Sequence, residues 1–292
     1  MDKNKKLKQF CAVTSFSFLS FFLSAVWAQA DDKDLPAWLK RIEFSTKVET
    51  HQKPIVYFQT VQPFYQDQGK INTFFVQPRV NKSTEKTTYN FGTGYRRLAT
   101  QNLILGLNAF GDYQDLHQHG RVGLGAEALG QIVEARVNTY FGVTGKRNVE
   151  ESSSVTVFER AADGVDYELG APVPYVPWLK IFGSGFWYDF DKFSDKVGWK
   201  GRLEARLNNN IRAEFFTWDD NKGGQEYGGQ LRFSVAFTTW KDIRDAFKFS
   251  AEPFPQKDLR EQLLNPVERN FDIVVEKWTE TPAGLTVEAG RT

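Results

Sequence analysis

Residues 198–215 read GWKGRLEARLNNNIRAEF. From Lys200 every second residue is charged: Lys200, Arg202, Glu204 and Arg206. Trp199, Gly201, Leu203, Ala205 and Leu207 stand between them. After three asparagines the pattern resumes, with Arg212 and Glu214 set against Ile211, Ala213 and Phe215. A period of two marks a β-strand whose faces differ, and asparagines favour turns. The stretch therefore reads as a hairpin with one charged and one apolar face. Two folds would accept it. A soluble sandwich turns its polar side to water and its apolar side to a core. A membrane barrel turns its apolar side to lipid and its polar side to a lumen. The apolar positions are often small: Gly201 and Ala205 here, Ala126, Ala128 and Ala135 elsewhere. A sandwich core needs more bulk at such sites. Opposite charges two residues apart can pair across a confined lumen. The reading is a barrel, with a soluble all-β domain as the alternative.

The same alternation recurs along the chain. Val122, Leu124, Ala126 and Ala128 oppose Arg121, Gly123, Gly125 and Glu127. Val133, Ala135, Val137, Thr139 and Phe141 oppose Glu134, Arg136 and Asn138. Leu103, Leu105, Leu107 and Ala109 oppose Asn102, Gly106, Asn108 and Asp112, and Leu231, Phe233, Val235 and Phe237 oppose Gln230, Arg232 and Ser234. Twelve strands are predicted: 41–50, 54–64, 71–80, 87–97, 102–113, 119–129, 131–142, 164–172, 178–189, 197–207, 210–219 and 227–238. Those at 54–64 and 178–189 alternate poorly. Lengths cluster near the ~9–11 residues a tilted strand needs to cross a bilayer. Connections alternate between short turns (QDQGK, LATQN, Gly130, PYVP, NNN) and a second set of often longer loops (NKSTEK, QDLHQH, 143–163, FDKFSDK, DDNKGGQ). That pattern fits a bacterial outer-membrane barrel with its long loops outside. Closure leaves no unpaired edge in lipid. Trp178, Trp187, Trp199 and Trp240 fall near strand ends, where a membrane interface holds aromatic rings.

The N-terminus has the form of a cleaved export signal. Lys3, Lys5, Lys6 and Lys8 precede the apolar run FCAVTSFSFLSFFLSAVW and an Ala28-Gln29-Ala30 site. Its rival is a membrane anchor helix, which the interrupting serines disfavour. Cleavage after Ala30 removes Met1 and Cys11, the one methionine and the one cysteine of the chain. A mature chain of that kind has no disulfide and no thiolate metal site. Its formal charge falls from +1 by three, four lysines less one aspartate, to −2. No basic stripe marks a nucleic-acid partner. No later segment has the ~18 apolar residues of a spanning helix. The 26 Phe and 8 Trp are many for so polar a chain, and with common Gly and modest Pro they suit many strands and tight turns.

Several motifs resemble the translocator barrel of the intimin/invasin family, the inverse autotransporters. They are QTVQPFYQDQGKINTFFVQPRV (59–80), TTYNFGTGYRRLATQNLILGLNAFGDYQDLHQHGRVGLGAEALG (87–130), FERAADGVDYELGAPVPYVPWLK (158–180) and the opening hairpin. The likeness runs from about residue 40 to 238 and implies a twelve-stranded barrel. In that family a linker returns through the pore and exports a C-terminal passenger. LREQLLNPVERNFDIVVEKW at 259–278 is similar to it. Its expected pore residues are Leu259, Leu263, Pro266, Glu268 and Arg269. Leu259 and Leu263 have i, i+4 helical spacing, so a partly helical linker is expected, with Pro266 ending or kinking it. The alternative is a short periplasmic helix. The chain continues only fourteen residues past Trp278, so the expectation is a vestigial passenger; no LysM-like segment is expected before the barrel. The implied organisation is 1–30 signal peptide, 31–40 a short periplasmic segment, 41–238 barrel, and 239–292 linker and tail.

The inward charges are the candidate functional residues: Arg79, Arg96, Arg121, Glu127, Glu134, Arg136, Lys200, Arg202, Glu204, Arg206, Arg212, Glu214 and Arg232. They either brace the barrel alone, or also line a hydrated passage and grip the linker. Gly92-x-Gly94 and Gly123-x-Gly125 lack phosphate-loop context and read as inward space. The three histidines, His51, His117 and His119, are expected to be solvated loop residues. A metal or catalytic pair at His117 and His119 is the weaker alternative, as is weak Ca²⁺ binding by Asp189, Asp191, Asp219 and Asp220. No catalytic residue, cofactor or metal is assigned. The functional expectation is an outer-membrane translocator that anchors and exports a C-terminal segment to the cell surface, with adhesion as its associated role; the alternatives are a passenger-less barrel acting as a small diffusion pore or a structural outer-membrane protein, and a hydrolase. Expected partners are outer-membrane lipid, periplasmic chaperones and the outer-membrane assembly machinery, towards which Glu226-x-Gly228-x-x-Leu231-x-Phe233 gives a last-strand signal. A host-cell surface, met through loops or a separate passenger, completes the set.

Overall fold

A computed structural model describes residues 36–152, 155–208, 210–234, 247–281 and 286–288. The predicted leader, Trp240 and residues 235–238 of the last predicted strand lie outside the described residues. After one helical turn at Ala37–Lys40 the regular structure of the described residues is β-strand, apart from two 3₁₀ turns at Leu116–Gln118 and Leu259–Gln262. The strands are β1 Ile42–Glu49, β2 Ile55–Thr60, β3 Gln62–Gln66, β4 Asn72–Lys82, β5 Thr87–Thr100, β6 Leu103–Gln114, β7 His119–Gly130, β8 Glu134–Gly142, β9 Arg147–Glu151, β10 Thr156–Ala161, β11 Asp163–Val173, β12 Val176–Asp189, β13 Lys196–Arg206, β14 Ile211–Asp220, β15 Glu226–Ser234, β16 Val275–Glu280 and β17 Thr286–Glu288. No helix among the described residues is long and apolar enough to cross a membrane.

Thirteen strands form one antiparallel sheet in the order β2-β1-β15-β14-β13-β12-β11-β8-β7-β6-β5-β4-β3, and β2 also pairs with β4. That pairing closes the ring. β2 and β3 are one stave interrupted at Val61, which makes twelve staves. A ring without an edge satisfies every ladder bond internally, as a bilayer requires.

The opening hairpin is β13–β14. Asn208 makes its turn, its side-chain oxygen accepting from the N–H of Asn210 and Ile211, both at 2.7 Å. Arg202 and Glu204 point inward and are buried; Trp199 and Leu203 point outward. Around the ring the outward positions are apolar and open, Leu107 at 63% exposure and Phe91 at 60%, while Arg96 and Arg121 inside are at 1%. Water would penalise such an apolar exterior, whereas the hydrocarbon of a bilayer welcomes it. Trp187 and Trp199 lie on this outer surface.

The long loop expected around 143–163 contains two strands. β9 and β10 join β16 and β17 in a second sheet, ordered β17-β16-β10-β9, at the long-loop end. β9 is mostly exposed and carries no alternation, and the partner of β10 comes from the far end of the chain. Neither leaves a period-two signal.

Candidate functional site: a lumen filled by the C-terminal segment

The segment from residue 249 onward enters at the short-turn rim. Ser250 donates its N–H to the carbonyl of Tyr175, and Tyr175 donates to that of Pro253, each at 2.9 Å. Lys257 and Gln131 exchange two bonds, of 3.0 and 2.7 Å. Asp258 accepts from the N–H of Arg260 and caps a 3₁₀ turn, Leu259–Gln262. Leu259 and Leu263 bury against Leu98, Ile104 and Leu129. That turn is the helical part of the linker. It closes before Pro266, and from there to Val274 the chain has no regular structure and takes its bonding partners from the wall.

Arg96 begins this wall. Its Nη1 donates to the carbonyls of Leu263 at 3.0 Å and Asn265 at 2.5 Å, while Glu127 holds the other side of the guanidinium. The N–H of Val267 donates to Gln77 Oε1 at 2.9 Å. Val267 and Phe271 pack against Val61, Phe75 and Phe110. The rings of Phe75 and Phe110 lie over Gly94 and Gly92, where an added Cβ would sit 2.3 and 2.2 Å from ring carbons. Any side chain there would push the ring onto the linker.

Halfway along, charge takes over. Glu268 accepts two bonds from Arg232, at 2.6 and 3.1 Å. Arg269 Nη2 meets Asp112 Oδ2 at 2.8 Å, and Arg121 Nε meets the same oxygen at 2.8 Å. Arg121 also donates to the carbonyls of Asn270 (2.7 Å) and Asp272 (2.9 Å). Asn90 donates to that of Phe271 at 3.1 Å. Tyr140 accepts from the N–H of Asn270 at 2.9 Å, and Tyr188 from its side chain at 2.8 Å. Arg79 sits between the rings of Tyr57 and Phe271, 3.5 and 4.1 Å from their centroids. Val274 then accepts from the N–H of Ala162, and β16 pairs with β10 beyond the barrel mouth.

The remaining candidate charges lie among themselves. Glu134 pairs with Arg136 at 2.6 Å and with Lys180, and Arg136 also reaches Glu168. Glu204 and Glu214 are direct cross-strand partners, a like-charge pairing that costs energy alone. Arg202 contacts both, and Arg232 reaches Glu214 at 2.7 Å. Lys200 lies 4.4 Å over the Phe216 ring. Arg206 and Arg212 face each other across the hairpin. A cavity of about 330 Å³ remains on this side, bordered by Lys47, Tyr57, Lys200, Arg202 and Glu268. Sequence reasoning missed Asp112, Gln77, Asn90, Tyr140 and Tyr188 as linker contacts. The inward alternation of the first four was readable, while that of Tyr188, on the poorly alternating 178–189 stretch, was not; what they all face was hidden.

One of the three histidines departs from expectation. His51 is open to solvent beside Glu226. His119, expected in a solvated loop, is wholly buried at the start of β7. The folded β10 covers it and presents Glu159 Oε2 to His119 Nε2 at 3.0 Å and to His117 Nδ1 at 2.8 Å. Burial pushes the Glu159 carboxyl up, but bonds from His119, His117 and Lys277 outweigh it and hold it down at about 2. Of the four loop aspartates, Asp191 pairs with Arg160 and Asp220 with Lys196.

Comparison with known proteins agrees with this architecture. The family described as inverse autotransporter, beta-domain, matches residues 15–271. The chain is 27% identical over 228 residues to the inverse autotransporter adhesin YeeJ of Escherichia coli K12, covering 75% of this chain and 9% of that protein. It is 25% identical over 157 residues to invasin of Yersinia enterocolitica, covering 51% of this chain and 18% of that protein. It is 27% identical over 131 residues to a putative attaching and effacing protein homolog of E. coli K12, covering 45% and 42%. The chain thus spans less than half the length of each of these relatives. A solved chain described under "Unveiling the Mechanism Behind the in-meso Crystallization of Membrane Proteins" superposes with TM-score 0.66 at 18% identity, over 81% of this chain and 99% of that one.

Proposed function

Because the chain belongs to the inverse autotransporter β-domain family, we propose that it is an outer-membrane translocator that carries its own C-terminal segment through the barrel to the cell surface. One observation carries this reading: residues 249–281 run without interruption from the short-turn rim to the long-loop rim, bonded to the wall at each step. Short turns face the periplasm in such barrels and long loops face outward, so the direction is outward. Much of the grip is on backbone. Arg96 and Arg121 donate to carbonyl oxygens, which every extended chain presents in passing. The pairs Glu268–Arg232 and Arg269–Asp112 then select one register for the resting state. Charged donors give the stronger hydrogen bonds such a hold needs.

In this reading residues 1–30 direct export and are removed, 31–40 remain in the periplasm, 41–238 form the barrel, and 239–292 supply the linker and tail. Periplasmic chaperones and the assembly machinery deliver the chain, the latter reading the Glu226–Phe233 pattern of the last strand. The relatives are described as an adhesin and an invasin. Contact with a host surface would go through the outer loops and whatever the linker carries outside.

A second reading, a porin-like channel, draws on the 330 Å³ cavity beside the linker. Planar-bilayer recording separates the two. The translocator reading expects a quiet intact protein and an open pore when residues 255–281 are deleted. Equal conductance in both proteins would favour the channel.

A further inference from the structure

The geometry points to a transition-metal site at the outer mouth of the barrel, in which His117, His119 and Glu159 hold one Zn²⁺ and fasten the β6–β7 loop to β10. The three ligand atoms lie within 4.8 Å of one another. Glu159 Oε2 is 2.8 Å from His117 Nδ1 and 3.0 Å from His119 Nε2. Ligands ~2.0–2.1 Å from a tetrahedral Zn²⁺ stand a little over ~3 Å apart, so a small outward movement of these atoms admits the ion. The two rings are nearly perpendicular, at 89° with centroids 6.4 Å apart, and turn different edges to one carboxylate oxygen.

The backbone holds this arrangement at a cost. His117 has φ 59° and Gln118 φ 54°, a left-handed conformation uncommon for residues other than glycine. Two such residues in succession turn the His117 ring back towards His119. Asp115 fixes the loop, its carboxylate accepting from the N–H of Thr87 (2.6 Å) and Leu116 (2.7 Å). Local strain that serves no packing is a pointer to function.

The donor set chooses the metal. Two imidazoles and one carboxylate suit Zn²⁺, while Ca²⁺ and Mg²⁺ prefer oxygen alone. Three protein ligands leave a fourth position for water. Two features weaken the site. His119 Nδ1 has no bonding partner among the described residues, and an unsupported ligand ring weakens metal binding about 10–100-fold. Lys277 Nζ stands 3.2 Å from Glu159 Oε1 and repels a cation. Because Lys277 lies on β16 and Glu159 on β10, the ion would sit beside the strand pair that receives the emerging segment. That consequence rests on the translocator reading; the site itself, built from the β6–β7 loop and β10, does not.

The test is zinc titration by calorimetry of the mature protein, carrying no histidine tag, folded in detergent. One Zn²⁺ per chain is expected, with no comparable signal from Ca²⁺. His117→Ala should weaken binding at least tenfold. His117 is partly exposed, and heat-modifiable gel mobility reports whether the barrel has folded. His51→Ala should leave binding unchanged, and Lys277→Gln should tighten it several-fold. Co²⁺ in place of Zn²⁺ should show the intense visible absorption of a four-coordinate ion, lost in His117→Ala. Absence of stoichiometric binding, binding that survives His117→Ala, or binding lost in His51→Ala, overturns the proposal. Surface labelling of the tail in cells reports threading independently, so either reading can fail alone.

Discussion

Asp112→Ala lowers the stability of the plugged barrel by about 3–5 kcal/mol, the cost of leaving a buried charge without its partner. Asp112 is fully buried and carries three donors: Arg121, Arg269 and Asn90. Both arginine side chains are at most 1% exposed. Without the carboxylate two cations share one closed space, both facing the Tyr140 ring, at 4.3 and 5.1 Å. The strand ladder is untouched, so the linker should suffer first. A lower urea midpoint in detergent and faster proteolysis near residue 270 are the readouts. Asp112→Asn keeps the shape and loses the charge, and should fall between. The double variant D112A/R269M removes one orphaned cation. It should recover about 0.5–3 kcal/mol relative to the sum of the single changes. Strict additivity would mean that the three residues do not act as one unit.

Glu268→Lys should open the pore. Glu268 stands in the lumen at 19% side-chain exposure, clasped by Arg232. Arg202 and Arg136 also lie within Coulombic reach. Reversal replaces an attractive pair by a lysine among three arginines in a space of low dielectric, where like charges repel far more than in water. The linker leaves its register, and planar-bilayer conductance approaches that of the protein lacking residues 255–281. The exchange Arg232→Glu with Glu268→Lys restores one ion pair and should silence the pore again. A quiet pore in the single variant would show that the apolar contacts of Leu259, Leu263, Val267 and Phe271 hold the linker unaided.

The wall was legible in the sequence and the plug contacts were not, for a physical reason. Alternation reports which face a residue occupies, and Arg202, Glu204, Leu107 and Phe91 show it plainly. It weakens where the inward face is itself apolar. In β12 the inward Phe182 and Tyr188 are buried, and Tyr188 packs with Tyr140 and Val274. In β2 Ile55 and Tyr57 point inward while Val56 and Phe58 point outward. Both strands read as irregular because their inward residues are apolar or aromatic: Tyr188 meets the linker, Phe182 lies under Arg202 and Arg136, and Tyr57 stacks on Arg79. The pairs that bind the segment, Arg96 with Leu263 and Arg121 with Asn270, join residues 167 and 149 positions apart. No local pattern encodes them. The i, i+4 spacing of Leu259 and Leu263 suggested a helix; the pair instead fills one apolar niche through a single 3₁₀ turn. His119 misled in the same way, because the strand that buries it was itself hidden in an apparent loop.

The central claim is that the C-terminal segment passes through the lumen to the outside. Cys11 is the chain's one cysteine and falls in the predicted leader, so single engineered thiols can report position. Val287 on β17 is 59% exposed at the long-loop end, and Phe249 is 74% exposed at the short-turn end. On intact bacteria a membrane-impermeant maleimide should label Val287→Cys at once, and Phe249→Cys only after the outer membrane is permeabilised. Labelling of Val287→Cys only after permeabilisation would contradict the account.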